Sequence, residues 1–114
     1  MQESEFQDVV DDIYFQLEEI IDDSGADIDY ETNGGVMTLT CENDGSKIIL
    51  SRQVATSEIW VAAKSGGFHF QFKDNEANQS GDGSGWVCAT GEQLAELLVR
   101  VIQEQSQEIL EISF

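Results

Sequence analysis

Residues 58–72 read Glu-Ile-Trp-Val-Ala-Ala-Lys-Ser-Gly-Gly-Phe-His-Phe-Gln-Phe. In both halves of this stretch, apolar side chains recur at every second position, which is the period of a strand that buries one face. Ser65-Gly66-Gly67 lies between the halves and predicts a tight turn. We therefore predict a hairpin whose strands cover Glu58–Lys64 and Phe68–Lys73.

The two faces of this hairpin differ in composition. Phe68, Phe70 and Phe72 share one face, because successive side chains of a strand point to opposite sides. We expect this aromatic face to be buried, which leaves Trp60 and His69 on the open face. An exposed Trp is a common anchor of protein interfaces. The alternative is that a loop or the C-terminal tail covers Trp60.

Further segments with a period of two flank the hairpin. Upstream, the predicted strands are Asp27–Glu31, Val36–Glu42 and Lys47–Arg52, with turns at Asn33-Gly34-Gly35 and Asn43-Asp44-Gly45. Downstream, a polar, Gly-rich loop at Asp74–Gly85 leads into a short strand at Trp86–Ala89. Short strands joined by tight turns favour an antiparallel meander.

A helix is predicted on each side of the strands. Ser4 is the expected N-cap of the first helix, with Gln7 completing a capping box, and Gly25 is expected to end it. Its apolar stripe consists of Phe6, Val9, Val10, Ile13, Leu17, Ile20 and Ile21. Thr90 is the expected cap of the second helix, with Gln93 at the capping-box position. Its apolar stripe consists of Leu94, Leu97, Leu98, Val101 and Ile102.

The order helix, strands, helix indicates an α+β fold. Each helix has one apolar stripe, so both can pack on one face of a single antiparallel sheet and form a two-layer α/β sandwich. An apolar tail of Ile109, Leu110, Ile112 and Phe114 is expected to pack back on it. A length of 114 residues predicts one domain, 1–114.

Acidic side chains are concentrated at the start of the chain. The formal net charge is −18, and the first 46 residues hold 14 of the 23 acids but none of the five Lys and Arg. Residues 1–46 therefore carry −14, and the nine acids and five bases of residues 47–114 carry −4. Such a charge repels nucleic acid and anionic membrane surfaces, and it attracts metal ions or basic proteins.

The apolar stripe of the first helix fixes which acids face outward. At 100° per residue, one row contains Asp8, Asp12, Glu19 and Asp23, and a second row contains Asp11, Glu18 and Asp22. Asp27, Asp29 and Glu31 are expected to continue this surface on the next strand. We call Asp8, Asp11, Asp12, Glu18, Glu19, Asp22, Asp23, Asp27 and Asp29 the acidic ridge.

Clustered carboxylates without His or Cys suit hard cations such as Fe³⁺, Fe²⁺, Mn²⁺ and Ca²⁺. We expect weak, open sites on the acidic ridge that keep water ligands and select poorly among these cations. The alternative is a solvated acidic face that only keeps the protein soluble. Concentration of the acids at one end of the chain argues against that alternative.

Several function classes are disfavoured by the sequence. His69 is the only histidine, so neither a catalytic triad nor a typical zinc site is expected. Phosphate-binding and nucleophile-elbow motifs are absent, and we expect no enzymatic activity. No segment is apolar for long enough to span a membrane, and we expect no signal peptide, because the first residues show neither a basic nor an apolar region. Cys41 and Cys88 are expected to be reduced, buried thiols of a cytoplasmic protein.

Specific stretches of this chain resemble the frataxin family, and in particular its bacterial CyaY-type members. The central block carries most of the resemblance: Asn33-Gly34-Gly35-Val36, Asn43-Asp44-Gly45-Ser46-Lys47-Ile48-Ile49, Arg52-Gln53 and residues 59–70. Ser4-Glu5-Phe6 and the pairs Glu18-Glu19 and Asp22-Asp23 match as well. The resemblance extends from about Ser4 to Val101.

The resemblance implies a sandwich of two helices and an antiparallel sheet, and iron bound along an acidic ridge. It also implies contact with the cysteine desulfurase and scaffold machinery of iron–sulfur assembly, and regulation of cluster formation. The ridge residues that carry over are Asp11, Glu18, Glu19, Asp22, Asp23, Asp27 and Asp29. Four of them are also expected to contact partners: Glu18, Glu19, Asp22 and Asp23. Asn33 and Trp60 carry over as contacts with partners on the sheet face.

The chain departs from the family at three places. The proline that is usual after the Arg-Gln pair is missing, and the chain reads Arg52-Gln53-Val54-Ala55 there. Ser51 stands where Asn is usual, and the loop at residues 74–85 is longer. We expect a monomer, with metal-dependent oligomers as the alternative. Three other functions stay open: an acidic docking module without a metal role, a mimic of nucleic acid, and a ferroxidase or iron store.

Overall fold

A six-stranded antiparallel sheet forms one layer of the molecule in the computed structural model, which describes residues 2–72, 85–112 and 114. The strands are β1 (Ile28–Asn33), β2 (Val36–Cys41), β3 (Lys47–Gln53), β4 (Glu58–Ala63), β5 (Gly66–Phe72) and β6 (Trp86–Val87). They lie in the sheet in chain order, which confirms the predicted meander. The predicted loop at residues 74–85 lies outside the described residues, apart from Gly85.

Two hairpin turns show how the local sequence sets the register. Gly34 and Gly35 have φ of 61° and 83° and join β1 to β2 with Asn33 opposite Val36. Two consecutive positive φ values are what a tight hairpin turn needs. The turn predicted at Ser65-Gly66-Gly67 was placed too late, because Ala63 pairs with Gly66 and leaves only two residues between the strands.

The hairpin of β4 and β5 has the predicted faces. Ile59, Val61 and Phe70 are buried, and Phe68 and Phe72 are partly buried beside them. On the other face, Trp60 is paired directly with His69 across the two strands.

Two helices form the second layer: α1 (Glu3–Ser24) and α2 (Leu94–Ser106). Gly25 ends α1 in the left-handed conformation, as predicted. Both predicted N-caps were wrong. Helix α1 already begins after Gln2, and α2 begins after Gln93, whose N–H donates to the Glu96 carboxylate at 3.4 Å. A turn at residues 89–91 brings Gln93 back to a β-bridge with Val87, so α2 begins only after Gln93 and Thr90 does not cap it.

Both apolar stripes face the sheet. Every residue of the α2 stripe is buried. In α1, Tyr14 is buried as well, although the predicted stripe omitted it. Val9 and Ile20, which the predicted α1 stripe included, are only partly buried. In the tail, Leu110 and Phe114 are buried, but Ile109 is 71% exposed, so the prediction was wrong for Ile109. The core therefore lies between the helices and one sheet face, as predicted.

A buried glutamine ties the end of α2 to two hairpins. The Gln105 carboxamide accepts from the Lys64 N–H at 2.9 Å and donates to the Ser46 hydroxyl at 3.1 Å. Cys41 and Cys88 are buried and free, as predicted. Over the described part of the chain, neither helix is long and apolar enough to cross a membrane.

Candidate acidic binding surface

The outward face of α1 carries the acidic ridge in two rows. The outer row consists of Asp8, Asp12, Glu19 and Asp23, and all four residues are exposed. Within residues 2–72, 85–112 and 114, Asp12 is the one member that receives a side-chain hydrogen bond, from Gln16 at 2.8 Å. The outer row therefore stands free at the surface, as its helical spacing predicted.

The sheet-side row consists of Asp11, Glu18 and Asp22, and each carboxylate contacts one residue of the sheet. Arg52 Nη1 donates to Asp11 at 2.7 Å. The hydroxyl of Thr32 donates to Glu18 at 2.9 Å, and the phenol of Tyr30 donates to Asp22 at 2.8 Å. The bond to Asp22 raises the pKa of Tyr30. These contacts fix the row against β1 and β3.

Sequence reasoning found the carboxylates of this row but missed their partners. Tyr30 and Thr32 follow Ile28 at spacings of two, so they share its face of β1, which is the face that meets the helices. That alternation could have identified both residues as contacts of α1. Arg52 could have been identified in the same way, because it follows the buried Ile48 and Leu50 at spacings of two and so shares their face of β3.

The strand β1 does not simply continue the acidic ridge. Asp29 alternates with Ile28 and Tyr30, so it points to the face of the sheet opposite α1. There it lies beside Glu42, whose pKa is raised by the charge of Asp29, by a shared hydrogen bond with it, and further by Asp27 and Glu108. The N–H of Asp27 is bonded to Glu108 at 2.9 Å. Asp27 and Asp29 therefore belong to a second acidic cluster near the end of β2.

The ridge places many carboxylate oxygens near one another without forming a closed cage. Across the described residues, no three His, Cys, Asp or Glu side chains stand close enough together to hold a metal ion. Carboxylates at helical spacing still fit hard cations that keep most of their water ligands. The donor set of the acidic ridge therefore suits weak, water-rich binding and does not provide a closed metal centre.

The junction between α1 and the sheet is built around one turn. The Tyr14 phenol donates to the Gly35 carbonyl at 2.9 Å, and burial raises the pKa of Tyr14. The Arg52 N–H also donates to the Gly35 carbonyl, and its guanidinium lies over Gly35 while it reaches Asp11. Two anchors thus hold the acidic helix in a fixed position relative to the turn that follows Asn33.

The open face of the sheet holds the second candidate contact. Trp60 stacks on His69 with ring centroids 4.1 Å apart and planes 8° from parallel. The indole N–H donates to Glu58 at 2.8 Å, and Gln71 donates to the same carboxylate at 2.7 Å. These hydrogen bonds lower the pKa of Glu58. Trp60 is therefore held flat on the sheet and is partly buried, while Asn33 is exposed at the β1–β2 turn.

A model of the frataxin-like domain family matches residues 1–108 of this chain. The chain belongs to the frataxin family. A solved structure of the frataxin from Psychromonas ingrahamii is similar to it, with a TM-score of 0.83, 33% identity and 97% of each chain covered. The fold and family expected from the sequence are thereby confirmed.

Curated relatives are similar over nearly the whole chain. The iron–sulfur cluster assembly protein CyaY of Stutzerimonas stutzeri is 46% identical over 112 residues, covering 97% of this chain and 94% of that protein. Two further relatives carry the same description. The CyaY protein of Azotobacter vinelandii is 44% identical over 110 residues, covering 96% of this chain and 93% of that protein. The CyaY protein of Vibrio vulnificus is 43% identical over 112 residues, covering 97% of this chain and 98% of that protein.

Proposed function

We propose that this protein regulates iron–sulfur cluster assembly in the cytoplasm, as a non-enzymatic, iron-binding member of the frataxin family. The acidic ridge docks on a basic surface of the cysteine desulfurase, and iron tunes that contact. The observation that supports the proposal best is the outer row, four exposed carboxylates on one helix face. The folded chain gains nothing from their proximity, since like charges four residues apart destabilise a helix.

The fit to a protein partner follows from the shape of the ridge. It is a row of fixed charges along a 22-residue helix, and the sheet-side row is held in place by Arg52, Thr32 and Tyr30. Preorganised charges steer a basic partner and set its orientation more than they add affinity. Trp60 and Asn33 are candidate contacts for a second component of the assembly machinery.

The fit to iron follows from the donor type. The ridge presents carboxylate oxygens, which hard cations such as Fe²⁺ and Fe³⁺ prefer. They come from Asp8, Asp12, Glu19 and Asp23, with Glu18 and Asp22 beside them. We propose that the ridge holds iron as cargo or signal, in open sites that other hard cations also occupy. A ferroxidase role is not favoured, because a di-iron centre draws ligands from several facing helices.

The test replaces Glu18 and Glu19 by Gln and Asp22 and Asp23 by Asn, and measures affinity for the host's cysteine desulfurase by calorimetry, with and without anaerobic Fe²⁺. Amides keep the hydrogen-bond acceptors for Thr32 and Tyr30, so the fold should persist. We expect binding to weaken at least tenfold and the effect of iron to disappear. The matched control neutralises the same number of acids outside the ridge: Glu3, Glu5, Glu104 and Glu111.

The two variants separate specific docking from general attraction. If the control weakens binding as much as the ridge variant does, net charge alone matters and no docking site exists on α1. If the ridge variant binds the cysteine desulfurase with unchanged affinity, the proposal is refuted. For iron itself, titration of the ¹⁵N-labelled protein with Fe²⁺ in excess Mg²⁺ should broaden amide signals selectively between Asp8 and Glu31.

A further inference from the structure

An exposed phenylalanine lies in the middle of the acidic face of α1. Phe15 is 56% exposed, although it belongs to a helix whose other large apolar residues face the core. Its helical neighbours three and four residues away are all acidic: Asp11, Asp12, Glu18 and Glu19. The residues seven positions away, Asp8 and Asp22, are acidic too. Phe15 therefore separates the outer row from the sheet-side row.

Neither the helix nor the core requires an aromatic side chain at this position. Phe has a lower helix propensity than Glu, Lys or Leu, and most of this side chain remains in water. A hard metal ion held by the carboxylates gains no ligand from the ring, because the ring has no oxygen donor. A single exposed apolar residue is common on protein surfaces, but this one is enclosed by six carboxylates on one helix face.

We propose that Phe15 is the anchor of the docking surface on α1, and that its occupant is an arginine-bearing protein surface. This inference rests on the proposed function and names the chemistry of the partner. A planar guanidinium can stack on the ring of Phe15 while its N–H groups bond the flanking carboxylates of Asp11, Asp12 or Glu19. Lysine offers a compact charge without a stacking plane and fits this arrangement less well.

The arrangement of Phe15 and its acidic neighbours resembles that of binding hot spots in known protein interfaces. Aromatic and arginine side chains dominate such hot spots, and a rim of polar groups excludes water around them. On α1 the aromatic residue is central and the acids form the rim. The carboxylates would govern encounter and salt dependence, whereas Phe15 would govern how long the complex lasts.

The test compares Phe15→Ala with Phe15→Leu in binding to the host's cysteine desulfurase, measured by surface plasmon resonance at several salt concentrations. We expect Phe15→Ala to weaken affinity about 10- to 100-fold, mainly through faster dissociation, with an unchanged dependence of log Kd on log salt. Phe15→Leu should recover part of the loss. Ile109→Ala is the matched control, since Ile109 is also an exposed apolar residue but lies outside α1, next to Glu108 of the second acidic cluster.

A second measurement tests the arginine preference directly. A ten-residue arginine peptide should bind the wild-type protein more tightly than a lysine peptide of equal length, and Phe15→Ala should narrow that ratio at least threefold. An unchanged ratio would overturn the stacking role. Thermal unfolding checks the fold of each variant, and Phe15→Ala should not lower Tm because Ala favours the helix.

The outcomes distinguish this inference from the function beneath it. If Phe15→Ala binds within twofold of wild type while the ridge variant at residues 18, 19, 22 and 23 loses binding, the anchor is refuted and the regulator proposal stands. If both variants bind like wild type, the docking proposal itself fails. Loss in Phe15→Ala with no loss in Ile109→Ala supports the anchor.

Discussion

Replacement of Gly35 by Ala should disrupt the junction that holds the acidic helix against the sheet. Gly35 has φ of 83°, a backbone conformation that residues with a Cβ rarely adopt. A Cβ built there would lie 3.1 Å from Nε and Nη2 of Arg52. The Arg52 side chain is only 18% exposed and holds Asp11 at 2.7 Å, so it cannot move aside without weakening that ion pair.

The expected cost has two parts. The left-handed conformation costs a residue with a Cβ about 1–2 kcal/mol. Displacement of Arg52 adds up to about 1 kcal/mol, the usual size of a partly exposed ion pair. The sum is about 1–3 kcal/mol, and for a chain of this length it should lower Tm by about 4–12 °C.

Gly34→Ala is the matched control, because Gly34 also has a positive φ of 61° but a Cβ there would meet nothing within 4 Å. It should lose only the conformational part. Urea unfolding followed by circular dichroism gives the free energy of unfolding for each variant, alone and combined with Arg52→Ala. The difference between the two glycine variants should shrink when Arg52 is absent. An equal cost of both substitutions, or a difference that persists without Arg52, would refute the reasoning.

Two further predictions concern carboxyl groups with shifted pKa values. Glu42→Gln should stabilise the protein at pH 7, because the acids around Glu42 raise its folded-state pKa and the wild type loses stability as pH rises through that pKa. The urea midpoints of the variant and the wild type should converge below the ordinary pKa of 4.5. A variant that is no more stable than wild type at pH 7 would contradict this. Glu58 has a lowered pKa, so its contribution to stability is present above 4.5 and is lost as pH falls through the lower folded value. The Trp60 indole N–H signal in ¹⁵N NMR should therefore titrate with a midpoint below 4.5, and Glu58→Gln should remove the transition.

The fold could be predicted from the sequence because its signals are local and repeated. A period of two in the strands, a period near 3.6 in both helices and glycines at the turns all indicate the same two-layer sandwich. The errors occur where a tertiary contact overrides the local pattern. Helix α2 begins after Gln93 because of the bridge to Val87, and the β4–β5 turn is tighter than its two glycines suggested.

The candidate site could be predicted only at the level of its helix. Spacing along α1 correctly gave two rows of acids, because it depends on helix geometry alone. Contacts across the sheet, such as Arg52 with Asp11, depend on registers that no local pattern records. The error on Asp29 is of another kind, since its alternation with the apolar Ile28 is a local pattern that already indicates the face opposite α1.

The division of the ridge into two rows also divides its physical roles. The sheet-side row carries acids that stabilise the fold through Arg52, Thr32 and Tyr30, so their presence has a structural reason. The outer row has no such reason: Glu19 and Asp23 repel each other at a spacing of four residues, and Asp23 also opposes the helix dipole near the C-terminal end of α1. A cost of about 0.2–0.5 kcal/mol for each like-charge pair is small. For Glu19 and Asp23 it is nevertheless uncompensated within the described residues, so the outer row and the phenylalanine beside it point to an external partner.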